Sequence, residues 1–79
     1  MSTTLSGVVE ILSRQLGIKE ADIKPENQLV GDLGCDSLDI LEICFFVEDL
    51  FSVEIDDEEL EQVGTVAQLV SIIDRELAK

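Results

Sequence analysis

The sequence predicts an all-α fold, a small three-to-four-helix bundle with a long loop between the first and second helices. Two observations predict it. Three segments carry apolar residues at the spacing of one helix face, and the residues at their ends are those that begin or end helices. Hydrophobic residues make up 46% of the 79 residues, which is enough for one core. We therefore expect residues 1–79 to form a single domain.

The first and last helices are predicted from matching apolar stripes. The first runs from Thr3 or Thr4 to Leu16, and Gly17 is placed to end it. Its apolar face consists of Leu5, Val8, Val9, Leu12 and Leu16. The last helix follows Thr65, a suitable N-cap. Its apolar face consists of Val66, Leu69, Val70, Ile73 and Leu77.

The segment from residue 17 to residue 34 shows no sustained period, and its single Pro and several Gly residues favour a loop. Ile18, Ile23 and Leu29 are predicted to anchor this loop on the core. A loop of this length in a small domain is usually functional. It leads directly to the stretch "DLGCDSLDILE", which contains Ser37.

The second helix is predicted from Ser37 to Phe51. Asp36 is a natural N-cap, and Asp36 with Asp39 resembles a capping box. A shorter helix of one or two turns is predicted within "DDEELEQV", whose acidic residues cluster where the helix dipole favours them. It precedes Gly64.

The second helix has two apolar faces at about 100° per residue. The face predicted to join the core consists of Ile40, Ile43, Cys44, Val47 and Phe51, with Leu50 at its margin. The opposite face carries Leu38, Leu41 and Phe45, which we call the docking stripe. Four acidic residues flank it: Asp39, Glu42, Asp49 and Glu48. An apolar strip with a charged rim is typical of a docking site, although packing under the loop or short helix is the alternative.

The charge limits the possible partners. Eighteen Asp and Glu against five Lys and Arg give a formal charge of −13, which disfavours nucleic acid and anionic membrane surfaces and favours partners with basic patches. No apolar run approaches the roughly 20 residues that a membrane span needs. The start "MSTTLSG" lacks the features of a secretory signal, and the two Cys suit free thiols. We expect a cytoplasmic protein, or one in an organelle interior if a transit segment was removed.

Ser37 has three interpretations from its surroundings. It is a poor nucleophile, because the chain contains no His to act as its base. A calcium loop of the EF-hand kind starting at Asp32 fails, since Gly34, Ser37 and Ile43 occupy its third, sixth and twelfth positions. No specific metal site is predicted. A serine that caps or begins a helix is the remaining structural interpretation.

The motif and the rest of the chain together resemble acyl carrier proteins. In "GCDSLD" the Asp-Ser-Leu triplet is similar to the modification site of that family, and "DSLDILE", "FSVEIDDEELEQV" and "TVAQLVSII" extend the similarity over nearly the whole chain. The resemblance implies that Ser37, preceded by Asp36, carries 4′-phosphopantetheine, which a separate magnesium-dependent phosphopantetheinyl transferase takes from coenzyme A. The thiol of this group would hold acyl intermediates as thioesters, and the chain itself would catalyse nothing.

The resemblance also implies two sets of contact residues. Acyl-processing enzymes with basic docking patches would bind a monomer through Leu38, Asp39, Leu41, Glu42, Phe45, Glu48 and Asp49. An acyl chain tucked between the helices would contact Ile43, Cys44, Val47, Phe51, Val63, Val66, Leu69 and Ile73.

Four residues depart from the pattern usual in fatty acid synthesis: Cys35, Phe45, Phe46 and Asp56. They leave open a specialised carrier for polyketide, lipid A or another lipid pathway. Cys35 is interpreted as a small residue that fills a turn. Two rival functions stay open as well: a peptidyl or D-alanyl carrier, and an acidic protein-interaction module without a covalent cofactor, in which Ser37 would only begin a helix.

Overall fold

Four α-helices and one short 3-10 turn make up the fold in a computed structural model, which describes residues 3–79. The helices are α1 (Thr3–Leu16), α2 (Ser37–Phe51), α3 (Asp57–Gln62) and α4 (Val66–Leu77), and the 3-10 turn is Glu20–Asp22. Residues 3–79 contain no β-strand, only an isolated bridge between Gln28 and Thr65. The predicted all-α bundle with a long first loop is confirmed.

Helix α1 lies against both α2 and α4. Its Val8 and Leu12 are completely buried, and it ends where predicted, with Gly17 at a φ of 70° and the Gly17 N–H donating to the Ser13 carbonyl (2.9 Å). Close approach to α2 depends on Gly7, because a Cβ there would lie 2.6 Å from Cζ of Phe51. The first helix thus supplies the centre of the core.

The buried cluster draws side chains from every helix and from the loop. Ile23 and Leu29 of the loop are buried, as predicted, and Ile18 is half-buried. Leu60 contributes from α3, and Ile55 from the segment before it. Even the helix of only six residues is therefore tied to the core by a buried side chain.

Two predictions about apolar faces are wrong. Leu50 was expected at the margin of the core, and Leu77 was expected on the core face of α4, yet both are exposed. The contact of Phe51 with Gly7 directs Phe51 inward and leaves its neighbour Leu50 beside α1, facing out. Leu77 is the last residue of α4, and the buried positions of that helix end at Ile73.

The long loop is held by the first turn of α4. A helix N-terminus has N–H groups without intrahelical partners. Here the carbonyl groups of Pro25 and Asn27 accept from Ala67 (2.9 Å) and Val66 (3.0 Å). The loop also donates one hydrogen bond, from the N–H of Leu29 to the carbonyl of Gly64 just before α4 (2.9 Å). Helix α4 itself begins with a capping box in which Thr65 and Gln68 bind each other's N–H groups.

Burial of Leu29 should make it far more important for stability than its neighbour Val30. The two are 2% and 61% exposed. Leu29→Ala should lower the free energy of unfolding by about 2–5 kcal/mol, because it leaves a cavity in the core. The matched control Val30→Ala should change it by less than about 0.5 kcal/mol. Urea unfolding followed by circular dichroism measures both, and equal losses would contradict the structure.

Candidate functional site

Ser37 is the first residue of α2, and its side chain is exposed. The helix start is capped by two aspartates, since Oδ1 of Asp36 accepts from the N–H of Asp39 (2.8 Å) and Oδ2 of Asp39 accepts from the N–H of Asp36 (3.2 Å). The predicted capping box is confirmed. Ser37 is therefore a first-turn residue and not the cap.

A tight turn sets the chain in position for Ser37. Gly34 has a φ of 74°, a left-handed conformation that glycine adopts without steric cost. Cys35 is buried, and its N–H donates to the carbonyl of Leu29 (2.9 Å). Upstream, Oδ2 of Asp32 accepts from the N–H of Gln28 (2.7 Å). The residue two positions before Ser37 is thus anchored in the core while Ser37 itself faces solvent.

A mainly apolar cleft of about 410 Å³ opens beside Ser37. It lies between α2 and α3, with the loop residue Val30 at its edge. Besides Ser37 it is lined by Val30, Ile40, Leu41, Leu60, Glu61 and Val63. Three separate segments of the chain therefore meet next to the serine hydroxyl.

The docking stripe is exposed. Leu38, Leu41 and Phe45 are 63%, 57% and 67% exposed. Neither the loop nor α3 buries them, so the alternative that they pack under these segments does not hold. Contiguous exposed apolar side chains on one helix face are typical of an interaction surface.

The four acidic residues around the docking stripe differ in their surroundings. Asp49 and Glu42 are exposed, and the Glu42 carboxylate accepts a hydrogen bond from Gln15 of α1. Asp39 belongs to the capping box, and Oε2 of Glu48 accepts from the N–H of Ile55 (2.9 Å). Two of the four therefore also hold the backbone at the two ends of α2.

Comparison with known proteins agrees with this geometry. The family model for the phosphopantetheine attachment site matches residues 6–73. A crystal structure of an acyl carrier protein from Thermotoga maritima is similar, with a TM-score of 0.81 and 32% sequence identity over 94% of this chain and 86% of that chain. The chain belongs to the acyl carrier protein family.

Proteins of this family carry 4′-phosphopantetheine, and the matched family model is that of its attachment site. The cofactor of this chain is therefore 4′-phosphopantetheine. Carriers of this type generally have no catalytic activity of their own and work with transferases and acyl-processing enzymes. The local structure fits the group. The N–H groups of Ser37 and Leu38 have no partner within the helix, so the start of α2 favours a phosphodiester, and the adjoining cleft offers apolar contacts for an organic arm.

The eight residues predicted as walls for an acyl chain lie mostly in the closed core of the carrier. Six are buried: Ile43, Cys44, Val47, Val66, Leu69 and Ile73. Phe51 and Val63 are half-buried, and Val63 alone of the eight lines the cleft beside Ser37.

Several residues at the site were not predicted from the sequence. Val30, Leu60 and Glu61 line the cleft, but they come from the loop and α3, and no periodicity relates them to α2. The hydrogen bond that the Glu48 carboxylate accepts from the Ile55 N–H was also not predicted. The only available signal was the acidic residue near the end of a helix, which does not reveal its partner.

Neither a membrane-spanning helix nor a cluster of metal ligands is found among the described residues 3–79. Across residues 3–79, no helix combines the length and apolar character needed to cross a membrane. In the same residues, no three acidic or cysteine side chains come together as metal ligands.

Both cysteines are buried and free. Burial, followed by the negative charge of Glu48 and a hydrogen bond to it, raises the pKa of the Cys44 thiol to about 11. Burial also raises the pKa of Cys35, and Asp39 and Asp36 add to the effect. A raised pKa lowers the fraction of reactive thiolate at any given pH.

Both thiols should therefore react slowly in the folded carrier. At about pH 8, iodoacetamide should alkylate them at least roughly tenfold more slowly than in urea, because folding removes both access and thiolate. The apo chain, without bound phosphopantetheine, is used so that no pantetheine thiol contributes. The single variants Cys35→Ser and Cys44→Ser assign the rates by mass spectrometry. A native rate equal to the rate in urea would show that the thiols are accessible.

Proposed function

We propose that this chain is a single-domain acyl carrier whose attachment residue is Ser37. Two observations on the Ser37 hydroxyl support this proposal. It is exposed at the start of α2, and Asp36 and Asp39 form the capping box without it. The hydroxyl is also next to an apolar cleft. The Asp-Ser-Leu triplet of the family resemblance falls at this position.

The modification would be carried out by a phosphopantetheinyl transferase. Ser37 Oγ forms a phosphodiester bond with the pantetheine phosphate of coenzyme A, the bond to the adenosine bisphosphate breaks, and the serine proton goes to a base of the transferase. This assignment agrees with the lack of His in the chain, since the base belongs to another protein. When bound, the group supplies a thiol that holds acyl groups as thioesters.

Partners of the carrier would bind the docking stripe and its acidic neighbours. The stripe supplies an apolar centre, and Glu42 and Asp49 supply an exposed acidic edge. Transferases and acyl-processing enzymes with basic patches complement such a surface. The carrier would act as a monomer in the cytoplasm, in the synthesis of fatty acids, polyketides or related lipids.

The cargo would first contact the cleft beside Ser37. Val63 lies in this cleft and is also one of the eight predicted wall residues, so it connects the surface with the core. A long acyl chain would need to separate α2 from α3 at this point to reach the buried wall residues Ile43 and Val47.

Intact mass spectrometry tests the attachment residue. Incubation with coenzyme A, magnesium and a broad-specificity transferase should add one phosphopantetheine to the native chain and none to Ser37→Ala. Ser71→Ala, which removes an exposed serine from α4, is the matched control and should be modified like the native chain.

Other results of this experiment would favour the rival functions. No mass gain on a folded native chain would make the acidic interaction module the leading function. A holo chain loaded only by an ATP-dependent amino-acid ligase would indicate a peptidyl or D-alanyl carrier.

Substitutions in the docking stripe should weaken partner binding without unfolding the carrier. Leu41→Ala and Phe45→Ala should each raise the KM of the transferase for the apo carrier roughly tenfold, because they remove central apolar contacts. Their melting temperatures should change by less than about 4 °C, since both side chains are exposed. Leu77→Ala, an exposed apolar residue on α4, is the control for KM. A lowered melting temperature with an unchanged KM would identify the stripe as structural.

A further inference from the structure

A second apolar surface lies beside the docking stripe on α2, where a groove of about 300 Å³ separates α2 from α1. Phe46 and Leu50 form its α2 wall and are 46% and 56% exposed. They are four residues apart and therefore lie on the same side of the helix. The half-buried Ile11 lies on the α1 side. We call this feature the α1–α2 groove.

The α1–α2 groove faces a different direction from the docking stripe but is connected to it. Phe46 lies about 100° further around the helix than Phe45, and Glu42 and Asp49 project between the two apolar surfaces. The rings of Phe45 and Phe46 nevertheless meet edge to face, with centroids 5.9 Å apart and an interplanar angle of 79°. A partner that covers only the docking stripe would leave Leu50 and the groove in water.

The charges around the α1–α2 groove indicate what it binds. Asp49 and Glu10 line it, and Glu42 lies beside it, where its carboxylate accepts a hydrogen bond from the lining residue Gln15. The single cation of the groove, Arg14, is paired with Glu10 of its own helix (2.9 Å). The rim is therefore acidic overall. A second copy of the chain would bring the same acidic rim to the contact, which argues against self-association.

We propose that the α1–α2 groove is a second docking surface that takes a basic amphipathic helix of a carrier-using enzyme. Apolar side chains on consecutive turns of that helix fit between Ile11, Phe46 and Leu50, and Lys or Arg at its edges face Asp49 and Glu42. The proposal rests on the proposed carrier function and extends its docking surface. Enzymes that present such a helix would bind both surfaces of α2 and be preferred over enzymes that contact the docking stripe alone.

The test uses the phosphopantetheine-bearing chain and a synthetic helical peptide. The peptide carries Leu and Phe at i, i+3, i+4 and i+7 and Lys elsewhere. A second peptide of the same composition has its apolar residues scattered around the helix. Titration into the ¹⁵N-labelled chain should shift the amide signals around Ile11, Phe46 and Leu50 with the first peptide only. Phe46→Gln and Leu50→Gln should each raise the Kd of the first peptide roughly tenfold, and the exposed control Leu77→Gln should leave that Kd unchanged.

Three results would overturn the proposal. One is a shift pattern confined to Leu38, Leu41 and Phe45, and another is equal binding of the scattered peptide. The third is a concentration-dependent dimer in sedimentation that Phe46→Gln abolishes, because the occupant would then be a second copy. The addition of phosphopantetheine to the native chain and to the same variants is also measured by intact mass spectrometry. If the chain accepts phosphopantetheine but does not bind the peptide in the groove, only the groove proposal is refuted. If the native chain does not accept phosphopantetheine, the carrier function is refuted.

Discussion

The hydrogen bonds between the long loop and the first turn of α4 are the constraint on which the site depends. Carbonyl groups of Pro25 and Asn27 satisfy N–H groups that a helix start leaves without partners. They hold the loop so that Leu29 is buried, and the carbonyl of Leu29 then receives the N–H of Cys35. Ser37 begins α2 two residues later. The attachment residue proposed for the second helix is therefore positioned by the last helix, through a loop that has almost no regular structure of its own.

The distribution of charge explains why α2 is suited to basic partners. All five basic residues lie outside it: Arg14, Lys19, Lys24, Arg75 and Lys79. Three of them form surface pairs, Arg14 with Glu10, Arg75 with Glu59 of α3 and Lys79 with Glu76, and such pairs add little stability. The acidic residues of α2 thus have no cation on their own helix to offset them. The resulting field attracts a basic surface and repels another copy of the chain, so a charge that tends to destabilise the compact state would also favour the basic partners proposed above.

The sequence predicted the features that are decided locally and missed those decided by contacts between segments. The capping pair of Asp36 and Asp39 is set by a spacing of three residues, and the start of α2 follows from it. Exposure of Leu50 depends instead on where α1 crosses α2, and no pattern within α2 contains that information. Val30 lines the cleft because the loop folds back onto α2, and Glu48 binds Ile55 because the chain reverses after the helix. The docking stripe was predictable because an amphipathic period excludes its residues from the core face, whereas the cleft is made by tertiary structure.

Division of α2 into separate faces allows stability and partner choice to vary independently. Ile43 and Val47 face the core, where a change in side-chain volume alters packing. Phe45 and Phe46 lie on two other sides and are not part of the buried cluster, so replacing them leaves the packing of that cluster in place. The aromatic pair stands where the family resemblance leads us to expect smaller or more flexible side chains, and on a buried face such an enlargement would have required the core to repack. On this helix it adds apolar surface at no cost to the core. A carrier of 79 residues can therefore acquire new partners by changing one exposed turn of one helix while the loop, the caps and the buried cluster remain as they are.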